Sequence, residues 1–362
     1  MEKDERQFIL VLVAASICAT FLFGHLFALI NGTNTAYLGT VWSKWDAENY
    51  IHIAQYGYST AANDFYRIAF MPGYPALIAF LSSLLHDYVQ SGLLISNAAY
   101  AATIFLFYKL MRLDFGKDES KKAIVLLSVF PTAFFLHAPY TESVFLALSV
   151  ASFYCGRKGH WLWAGLLGMA AASIRLFGIV LLLGLAVEYL SQKKWKISQV
   201  GPDAAFLLLV PLGLLPYVLV NASVFGDPLA FVNIQSFHFL KAPATPISGL
   251  VGTFLVFMGN NPNLVACAGL EIAFAFLAYL FAAAAAMRLR PSYGAYCLGI
   301  VILFTSTSLW NSNARYMLSA FPLFSTMAII DRNNRRFVMF VAACLILQAC
   351  LLWRYIAGQW AF

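Results

Sequence analysis

Charged side chains are scarce in this sequence. They make up 11% of its 362 residues, whereas 61% are apolar, and a soluble globule of this size needs far more charge to cover its surface. Apolar runs near the ~20 residues that cross a bilayer recur along the whole chain. The composition therefore excludes a soluble protein, and we expect residues 1–362 to form a single transmembrane domain of all-α class.

Motifs for nucleotides and metals are also lacking. The six cysteines show no CxxC or Cys/His ligand spacing, and no glycine-rich phosphate loop is present. His137 has no second histidine at ligand spacing and is interpreted as a hydrogen-bonded residue. These absences argue against a nucleotide-hydrolysing pump and a structural metal, and the net charge of +7 indicates anionic lipids and not nucleic acid.

The lysines and arginines that are present fall mainly into short clusters. An excess of such residues marks the cytoplasmic loops of membrane proteins, so we expect these clusters to lie inside: Lys3/Arg6, Lys109/Arg112/Lys117/Lys121/Lys122, Arg157/Lys158, Lys193/Lys194/Lys196, Arg288/Arg290 and Arg332/Arg335/Arg336. Six others are predicted at or near the outer face: Lys44, Arg67, Arg175, Lys241, Arg315 and Arg354.

Each pair of basic loops must be separated by an even number of spans. This condition removes two short apolar segments, which we interpret as interfacial or re-entrant helices. The first, about 71–85, is interrupted by the turn Met71-Pro72-Gly73-Tyr74-Pro75, and the second, about 247–259, is bounded by Pro246 and Pro262. About eleven spans remain: 8–30, 89–111, 123–139, 141–155, 161–175, 176–190, 203–225, 264–287, 293–310, 316–330 and 337–355. The predicted protein is a multi-pass protein of the cell membrane with a cytoplasmic N-terminus and an outer C-terminus.

This topology leaves two long outer loops, 31–88 and 226–263. Loops of this length without their own domain are commonly functional. A channel has little need for them, whereas an enzyme that acts on a lipid-linked substrate needs a site at the level of the membrane surface. The pattern places the active site on the outer face.

The first outer loop contains an aromatic, amphipathic segment that begins near Trp42 and Trp45 and continues through Tyr50. Asp46 stands at its start. A carboxylate in that position serves equally well as a helix N-cap or as a general base that deprotonates an acceptor hydroxyl. The residues alone leave both interpretations open.

A second carboxylate and two arginines are predicted on the same face. Glu142 follows the turn that joins two spans, where it either favours the helix dipole or has a functional partner. Arg175 and Arg315 end two other spans. Each arginine alone is explained by snorkelling, but two on the face that bears the carboxylates suggest a phosphate clamp, since guanidinium groups bind phosphate oxygens in a bidentate way.

Several stretches together resemble the GPI mannosyltransferase II (PIG-V-like) family of GT-C glycosyltransferases. Over about 45–325 they follow the family's order: Trp45-Asp46 with Tyr50 and Gly57-Tyr58, Phe70-Met71-Pro72-Gly73-Tyr74-Pro75, Phe130-Pro131 with Ala138-Pro139-Tyr140-Thr141-Glu142-Ser143, Ser173-Ile174-Arg175, Gly226-Asp227-Pro228-Leu229-Ala230-Phe231, and Arg315-Tyr316. The chain departs from the family pattern at Met71 and Gly73, where phenylalanine and leucine are usual. Its short length resembles that of prokaryotic homologues.

The resemblance implies an inverting transfer of a sugar from a polyprenyl-phosphate donor to a lipid or glycan acceptor. It implies that Asp46 is the base, that Glu142 is a second catalytic acid, and that Arg175, Arg315 and Tyr316 bind the donor phosphate. Further substrate-binding residues are then Trp45, Tyr50, His52, Tyr58, Tyr74, Tyr140 and Asp227. No cofactor is certain, although Asp46, Glu48 and Glu142 are suitable ligands for a divalent cation.

Three alternatives stay open at the level of sequence. A transporter or flippase of a lipid-linked or polar solute would carry ionisable residues at mid-membrane and an internal repeat, and Glu271 is the only acid well inside a predicted span. A GT-C enzyme with a different donor sugar would have similar aromatic loops. A catalytically dead scaffold of this fold would still bind polyprenyl phosphate, but the presence of Asp46 weighs against it.

Overall fold

The computed structural model describes residues 2–259, 262–330 and 333–361. Within these residues the regular secondary structure is helical, apart from an isolated β-bridge between Pro243 and Thr307. Arg332, from one of the predicted basic clusters, lies outside the described residues. The predicted loop 226–263 is described except for residues 260 and 261. The helices are α1 Lys3–Ile30, α2 Leu38–Trp42, α3 Asp46–Tyr56, α4 Gly73–Leu85, α5 Tyr88–Met111, α6 Lys117–Val129, α7 Glu142–Arg157, α8 Trp161–Ile174, α9 Val180–Gln192, α10 Leu209–Leu212, α11 Leu215–Phe225, α12 Ala230–Phe237, α13 Pro246–Phe257, α14 Pro262–Arg288, α15 Pro291–Thr305, α16 Asn313–Tyr316, α17 Pro322–Ile330 and α18 Asn334–Ile356.

Five helical segments are long and apolar enough to cross a membrane: Lys3–Ile30, Tyr88–Met111, Pro202–Phe225, Cys267–Arg288 and Asn334–Ile356. They confirm an all-α membrane protein, whereas the count of eleven spans stays a prediction. The two segments that parity removed form α4 and α13, with 13 and 12 residues. Helices of that length extend only about 20 Å, which is less than the ~30 Å hydrocarbon core.

Basic clusters meet at one end of the molecule, which we name the basic end. There Lys117 lies 2.6 Å from Glu2, and Arg157 and Arg290 pair with Glu188 at 3.3 and 3.0 Å. The first contact joins the starts of α1 and α6, and the other two join the adjoining ends of α7, α9 and α15. The connection between α5 and α6 links the two sets, because Arg112 pairs with Glu5 of α1 and Asp114 pairs with Arg157 and Arg290. The clusters involved therefore share one side, as the charge pattern predicts; that this side is cytoplasmic stays a prediction.

The opposite end, which we name the loop end, carries the long segments 31–72 and 226–259. Helix α7 runs from Glu142 at the loop end to Arg157 at the basic end. The ring of Trp360 packs edge-on against Trp45, with centroids 5.8 Å apart, so the last described residues lie at the loop end. The described N-terminal and C-terminal residues are thus at opposite ends, as expected for an odd number of crossings.

The segment that leads into α7 differs from the prediction. The expected span 123–139 ends as a helix at Val129, because Pro131 lacks a backbone N–H and disfavours helical geometry at the preceding Phe130. Residues 130–141 instead form a buried irregular segment with a 3₁₀ turn at Ala133–Leu136. This segment fixes the position at which α7 begins.

A close backbone approach explains one departure from the family pattern. A Cβ atom on Gly73 would lie 2.5 Å from the carbonyl oxygen of Ser173. The start of α4 and the end of α8 therefore touch through backbone atoms, two residues before Arg175. Leucine, the usual family residue, does not fit at position 73 in this packing.

Candidate active site

Asp46 begins α3 after a strained turn. Trp45 has φ of 54°, which bulky residues rarely adopt. Helix α3 has no side-chain cap, so the N-cap interpretation of Asp46 is wrong. Its Oδ2 atom instead lies 2.7 Å from Nη1 of Arg315, while 26% of its side chain is exposed. The carboxylate is thus held in one orientation and remains accessible to a substrate.

Glu142, the first residue of α7, lies behind this pair and is 1% exposed. Its Oε1 atom is 2.5 Å from Nη1 of Arg175 and 3.4 Å from Nε of Arg315. Nη1 of Arg175 also donates to the hydroxyl of Thr141 at 3.1 Å. One buried carboxylate therefore orients both guanidinium groups. A buried charge is stable only when it is paired, and these two ion pairs meet that need.

Arg315 is the centre of the cluster. It is 7% exposed and connects Asp46 to Glu142. Three aromatic rings surround its guanidinium at 5.3–5.4 Å: Phe135, Tyr140 and Tyr316. The Nε atom makes no hydrogen bond within the described chain, because the 3.4 Å contact with Glu142 is an ion pair only. Arg315 thus retains an unused donor.

Lys241 adds a third cation, which the sequence placed at the outer face but did not assign to the site. Its Nζ atom donates to the carbonyl oxygen of Asn311 at 3.0 Å and to the hydroxyl of Tyr316 at 3.1 Å. It forms no ion pair with any carboxylate in the described ranges. Three cations (Arg175, Lys241 and Arg315) therefore face two carboxylates, and the site has an excess of positive charge.

The excess charge changes Tyr316. Burial raises the pKa of its hydroxyl, but Lys241, Arg315 and Arg175 together outweigh burial and lower the pKa to about 8. Burial, with Asp46 and Glu142 nearby, raises the pKa of Tyr50. Tyr50 therefore stays protonated near neutral pH, whereas Tyr316 is near its titration point.

These groups line one side of a cavity of about 410 Å³, which we name the first cavity. Its polar wall contains Asp46, Tyr50 and the three cations. The remaining wall is largely apolar and includes Phe70, Phe177, Tyr217, Phe231, Leu303 and Phe304. This volume is in the range of small-molecule sites, and the division of the wall suits a ligand with an anionic and an apolar part.

The loop that presents Arg315 is held by Glu271, a second residue whose role sequence reasoning missed. The Glu271 carboxylate is 2% exposed and accepts the backbone N–H groups of Ser312 at 2.5 Å and Asn313 at 2.7 Å. Ser312 has φ of 75°, so the loop adopts a strained conformation that needs such support. Glu271, read from sequence as a lone intramembrane acid, thus acts on the site through this loop.

We expect Glu271→Gln to lower kcat/KM about tenfold or more. The amide has one acceptor oxygen where the carboxylate has two, so one of the two backbone N–H groups loses its partner, and a small displacement of catalytic groups is costly. Steady-state kinetics with the donor measure this effect. The matched control is Glu2→Gln at the basic end; an unchanged kcat/KM in Glu271→Gln would show that the loop does not depend on this contact.

The other predicted substrate residues separate into two groups. Tyr50 lines the first cavity, Tyr140 packs on Arg315, and Trp45 adjoins Asp46. Of these predicted substrate residues only Tyr50 lines the cavity. Four others make contacts within the protein: His52 lies 3.6 Å from Asp64, Tyr58 donates to the carbonyl of Phe70, Tyr74 donates to that of Gly92, and Asp227 accepts the backbone N–H of Leu229.

The residues suggested as ligands of a divalent metal ion, Asp46, Glu48 and Glu142, do not lie together. Arg315 stands between Asp46 and Glu142, and Glu48 is exposed on α3. No group of three or more metal-ligating side chains occurs among the described residues. The carboxylates of Asp46 and Glu142 are each paired with guanidinium groups in this arrangement.

The chain matches the model of one known protein family. The family model described as Mannosyltransferase (PIG-V) matches residues 17–239, more than half of the chain. This match includes Asp46, Glu142 and Arg175 and ends before Lys241 and Arg315. The resemblance noted in the sequence is thereby confirmed.

Two curated relatives agree with this family. The GPI alpha-1,6-mannosyltransferase 2 of Homo sapiens is 30% identical over 150 residues, which cover 38% of this chain and 29% of the relative. The GPI mannosyltransferase 2 of Cryptococcus neoformans is 28% identical over 148 residues, which cover 38% and 34%. The matched part spans about a third of the length of these relatives.

A solved structure agrees with the fold. The structure of ArnT from Cupriavidus metallidurans bound to undecaprenyl phosphate superposes with a TM-score of 0.56 and 15% identity, over 94% of this chain and 64% of that one. This likeness supports the all-helical fold of the chain, independently of the number of spans.

Proposed function

Because the chain belongs to the PIG-V mannosyltransferase family, we propose that it transfers a hexose, mannose in the first instance, from a polyprenyl-phosphate donor to a lipid or glycan acceptor. The reaction takes place at the loop end, which faces outward if the basic end is cytoplasmic. The observation that carries the proposal is the excess of cations beside Asp46 in the first cavity. A donor with a phosphate and a long apolar chain matches both parts of its wall.

The residues divide the chemistry between base and phosphate site. Asp46 takes the proton of the acceptor hydroxyl, whose oxygen forms a bond to the anomeric carbon of the sugar. The bond from that carbon to the phosphate oxygen breaks, and the electron pair leaves with the polyprenyl phosphate. Arg175, Lys241 and Arg315 stabilise the negative charge that develops there. A single displacement inverts the anomeric centre and needs no protein nucleophile.

Glu142 has a different part in this scheme from the one the resemblance implies. It is buried behind the arginines and does not line the first cavity. Its ion pairs with Arg175 and Arg315 hold both guanidinium groups in the orientation that receives a phosphate. We therefore assign it as a positioning residue.

The test of the donor class is binding of undecaprenyl phosphate to the purified protein. Its affinity should fall about tenfold in Lys241→Gln, because one charge-assisted hydrogen bond to the phosphate is lost. Arg67→Gln is the matched control, since Arg67 pairs with Asp64 and does not line the cavity. Equal affinities of wild type and Lys241→Gln would count against a phosphate at this position. The ArnT structure holds the same lipid, which supports the choice of probe.

We expect donor KM to rise at alkaline pH. The pKa of Tyr316 is about 8, so the phenol loses its proton above that pH and the phenolate neutralises part of the cationic cluster. A phosphate binds better to the protonated form, so affinity for the donor should decrease as the pH rises through this pKa. The profile of donor KM from neutral to alkaline pH measures this. Tyr316→Phe should remove the rise; an identical rise in that variant would assign the titration to another group.

A further inference from the structure

The turn before Asp46, residues 42–45, needs support from its surroundings. Trp45 has φ of 54° and ψ of −122°, a combination that a bulky residue rarely adopts. Backbone of this kind persists only where neighbouring groups hold it in place. Because Asp46 follows directly, the direction of its carboxylate depends on the groups that hold the turn.

Two buried phenols donate hydrogen bonds to the backbone of this turn. The hydroxyl of Tyr355, on α18, donates to the carbonyl oxygen of Trp42 at 2.7 Å. The hydroxyl of Tyr140, in the segment before α7, donates to the carbonyl oxygen of Lys44 at 3.0 Å. Both phenols are at most 1% exposed. Water cannot readily replace a donor at that depth, so each hydrogen bond restrains the carbonyl group that accepts it.

Aromatic rings hold the same turn from the side of α18. The indole of Trp42 is fully buried and packs on Tyr355, with ring centroids 6.4 Å apart. The exposed indole of Trp45 packs edge-on against Trp360, with centroids 5.8 Å apart. Trp360 is itself tied back, because its carbonyl oxygen accepts Nε of Arg354 at 2.8 Å. The end of α18 and the residues after it therefore contact both tryptophans of the turn.

Tyr140 also connects the turn to the cations of the site. Its ring lies 5.4 Å from the guanidinium of Arg315, which pairs with Asp46 at 2.7 Å. Asp46 is thus held from two directions, by Arg315 at the carboxylate and by the two phenols at the preceding backbone. Neither Tyr140 nor Tyr355 lines the first cavity. Loss of either hydroxyl should therefore displace Asp46 and leave donor binding unchanged.

We propose that Tyr140 and Tyr355 are positioning residues for the base: their hydroxyls fix the preceding turn in the conformation that presents Asp46 to the acceptor. The role of Asp46 as base rests on the proposed function, whereas the restraint of the turn is independent of it. Tyr355 follows residue 239, where the family match ends, so the match assigns it no role. Tyr140, which the resemblance implies as a substrate residue, uses its hydroxyl within the protein.

The kinetic experiment compares Tyr355→Phe and Tyr140→Phe with Tyr100→Phe at a temperature where all three are folded. Tyr100 is the matched control, because it is equally buried and its hydroxyl donates to Ser128 at 2.8 Å, outside the turn and the first cavity. We expect kcat to fall about tenfold in the two test variants, while undecaprenyl phosphate affinity stays unchanged. In the Asp46→Asn background, Tyr355→Phe should cause no further loss, because residues that act through one group are not additive.

A measurement that needs no turnover separates this inference from the proposed function. The full-length protein is labelled with 5-fluorotryptophan in phosphatidylcholine nanodiscs, and the fluorine resonance of Trp45 is assigned by its absence in Trp45→Phe. The resonance should shift or broaden in Tyr355→Phe and in Tyr140→Phe, because the turn is released. It should keep its position in Tyr100→Phe.

The outcomes separate as follows for the turn and for the reaction. An unchanged Trp45 resonance or an unchanged kcat in both test variants overturns the inference. A loss in Tyr355→Phe that multiplies with that of Asp46→Asn also overturns it, as does a fall in undecaprenyl phosphate affinity equal to the fall in kcat. A shifted resonance in a protein that transfers no sugar from any donor would contradict the proposed function and leave the restraint of the turn intact.

Discussion

Asp46→Asn should reduce sugar transfer by about a thousandfold, in the range of lost general bases, while the protein stays folded. Asparagine keeps the volume of the side chain and one acceptor oxygen toward Arg315, but it cannot take a proton. Loss of one negative charge beside the donor phosphate should leave polyprenyl-phosphate affinity unchanged or slightly higher. Single-turnover transfer, thermal unfolding and undecaprenyl phosphate binding measure the three effects separately.

The matched control for this variant is Glu48→Gln. Glu48 is exposed on the same turn of α3 and has no contact with the arginines, so its transfer rate should equal that of the wild type. Two results for Asp46→Asn would contradict the role of base: transfer within tenfold of the wild type, or loss of activity that is matched by loss of folding. The second result would assign Asp46 a structural role in holding Arg315.

Arg315→Gln should have the largest effect on stability. It leaves Asp46 and Glu142 without their shared cation, and breaking a buried ion pair typically costs about 3–5 kcal/mol. We expect the free energy of unfolding to fall by that order and transfer to fall with it.

Arg315→Lys distinguishes charge from geometry. Lysine keeps the charge but cannot contact Asp46 and Glu142 in the same planar arrangement, so we expect stability to recover more than transfer does. Chemical denaturation and transfer kinetics of both variants measure this. Arg67→Gln again serves as the control outside the cavity. Full recovery of transfer in Arg315→Lys would mean that the position needs only a positive charge.

The four residues chosen from sequence on the outer face do meet in one cluster. Asp46, Glu142, Arg175 and Arg315 come from four separate segments, and each stands at or next to a helix end on the same side. Hydropathy and charge were sufficient to place those ends on one side of the membrane, because successive spans cross it in alternating directions and the basic clusters mark the other side. What the pattern could not give was the distance between them, and hence the ion pairs.

Lys241 and Glu271 were missed for a physical reason. Lys241 lies in a long loop without regular periodicity, so nothing in the sequence indicates that its Nζ reaches Tyr316. Glu271 supports the site by accepting hydrogen bonds from backbone N–H groups, and such contacts have no signature in the sequence. Conversely, Tyr58, Tyr74 and Asp227 belong to stretches that resemble the family but do not line the first cavity, because a motif identifies a segment and not which of its side chains face the substrate.

The most direct test of the account is transfer of radiolabelled mannose by the purified protein to a membrane lipid extract, with polyprenyl-phosphate mannose and GDP-mannose as alternative donors. The account predicts a labelled lipid-soluble product from the polyprenyl-phosphate donor alone. A product formed from GDP-mannose in the absence of polyprenyl phosphate, or no product from polyprenyl-phosphate mannose, glucose or arabinose, would contradict it.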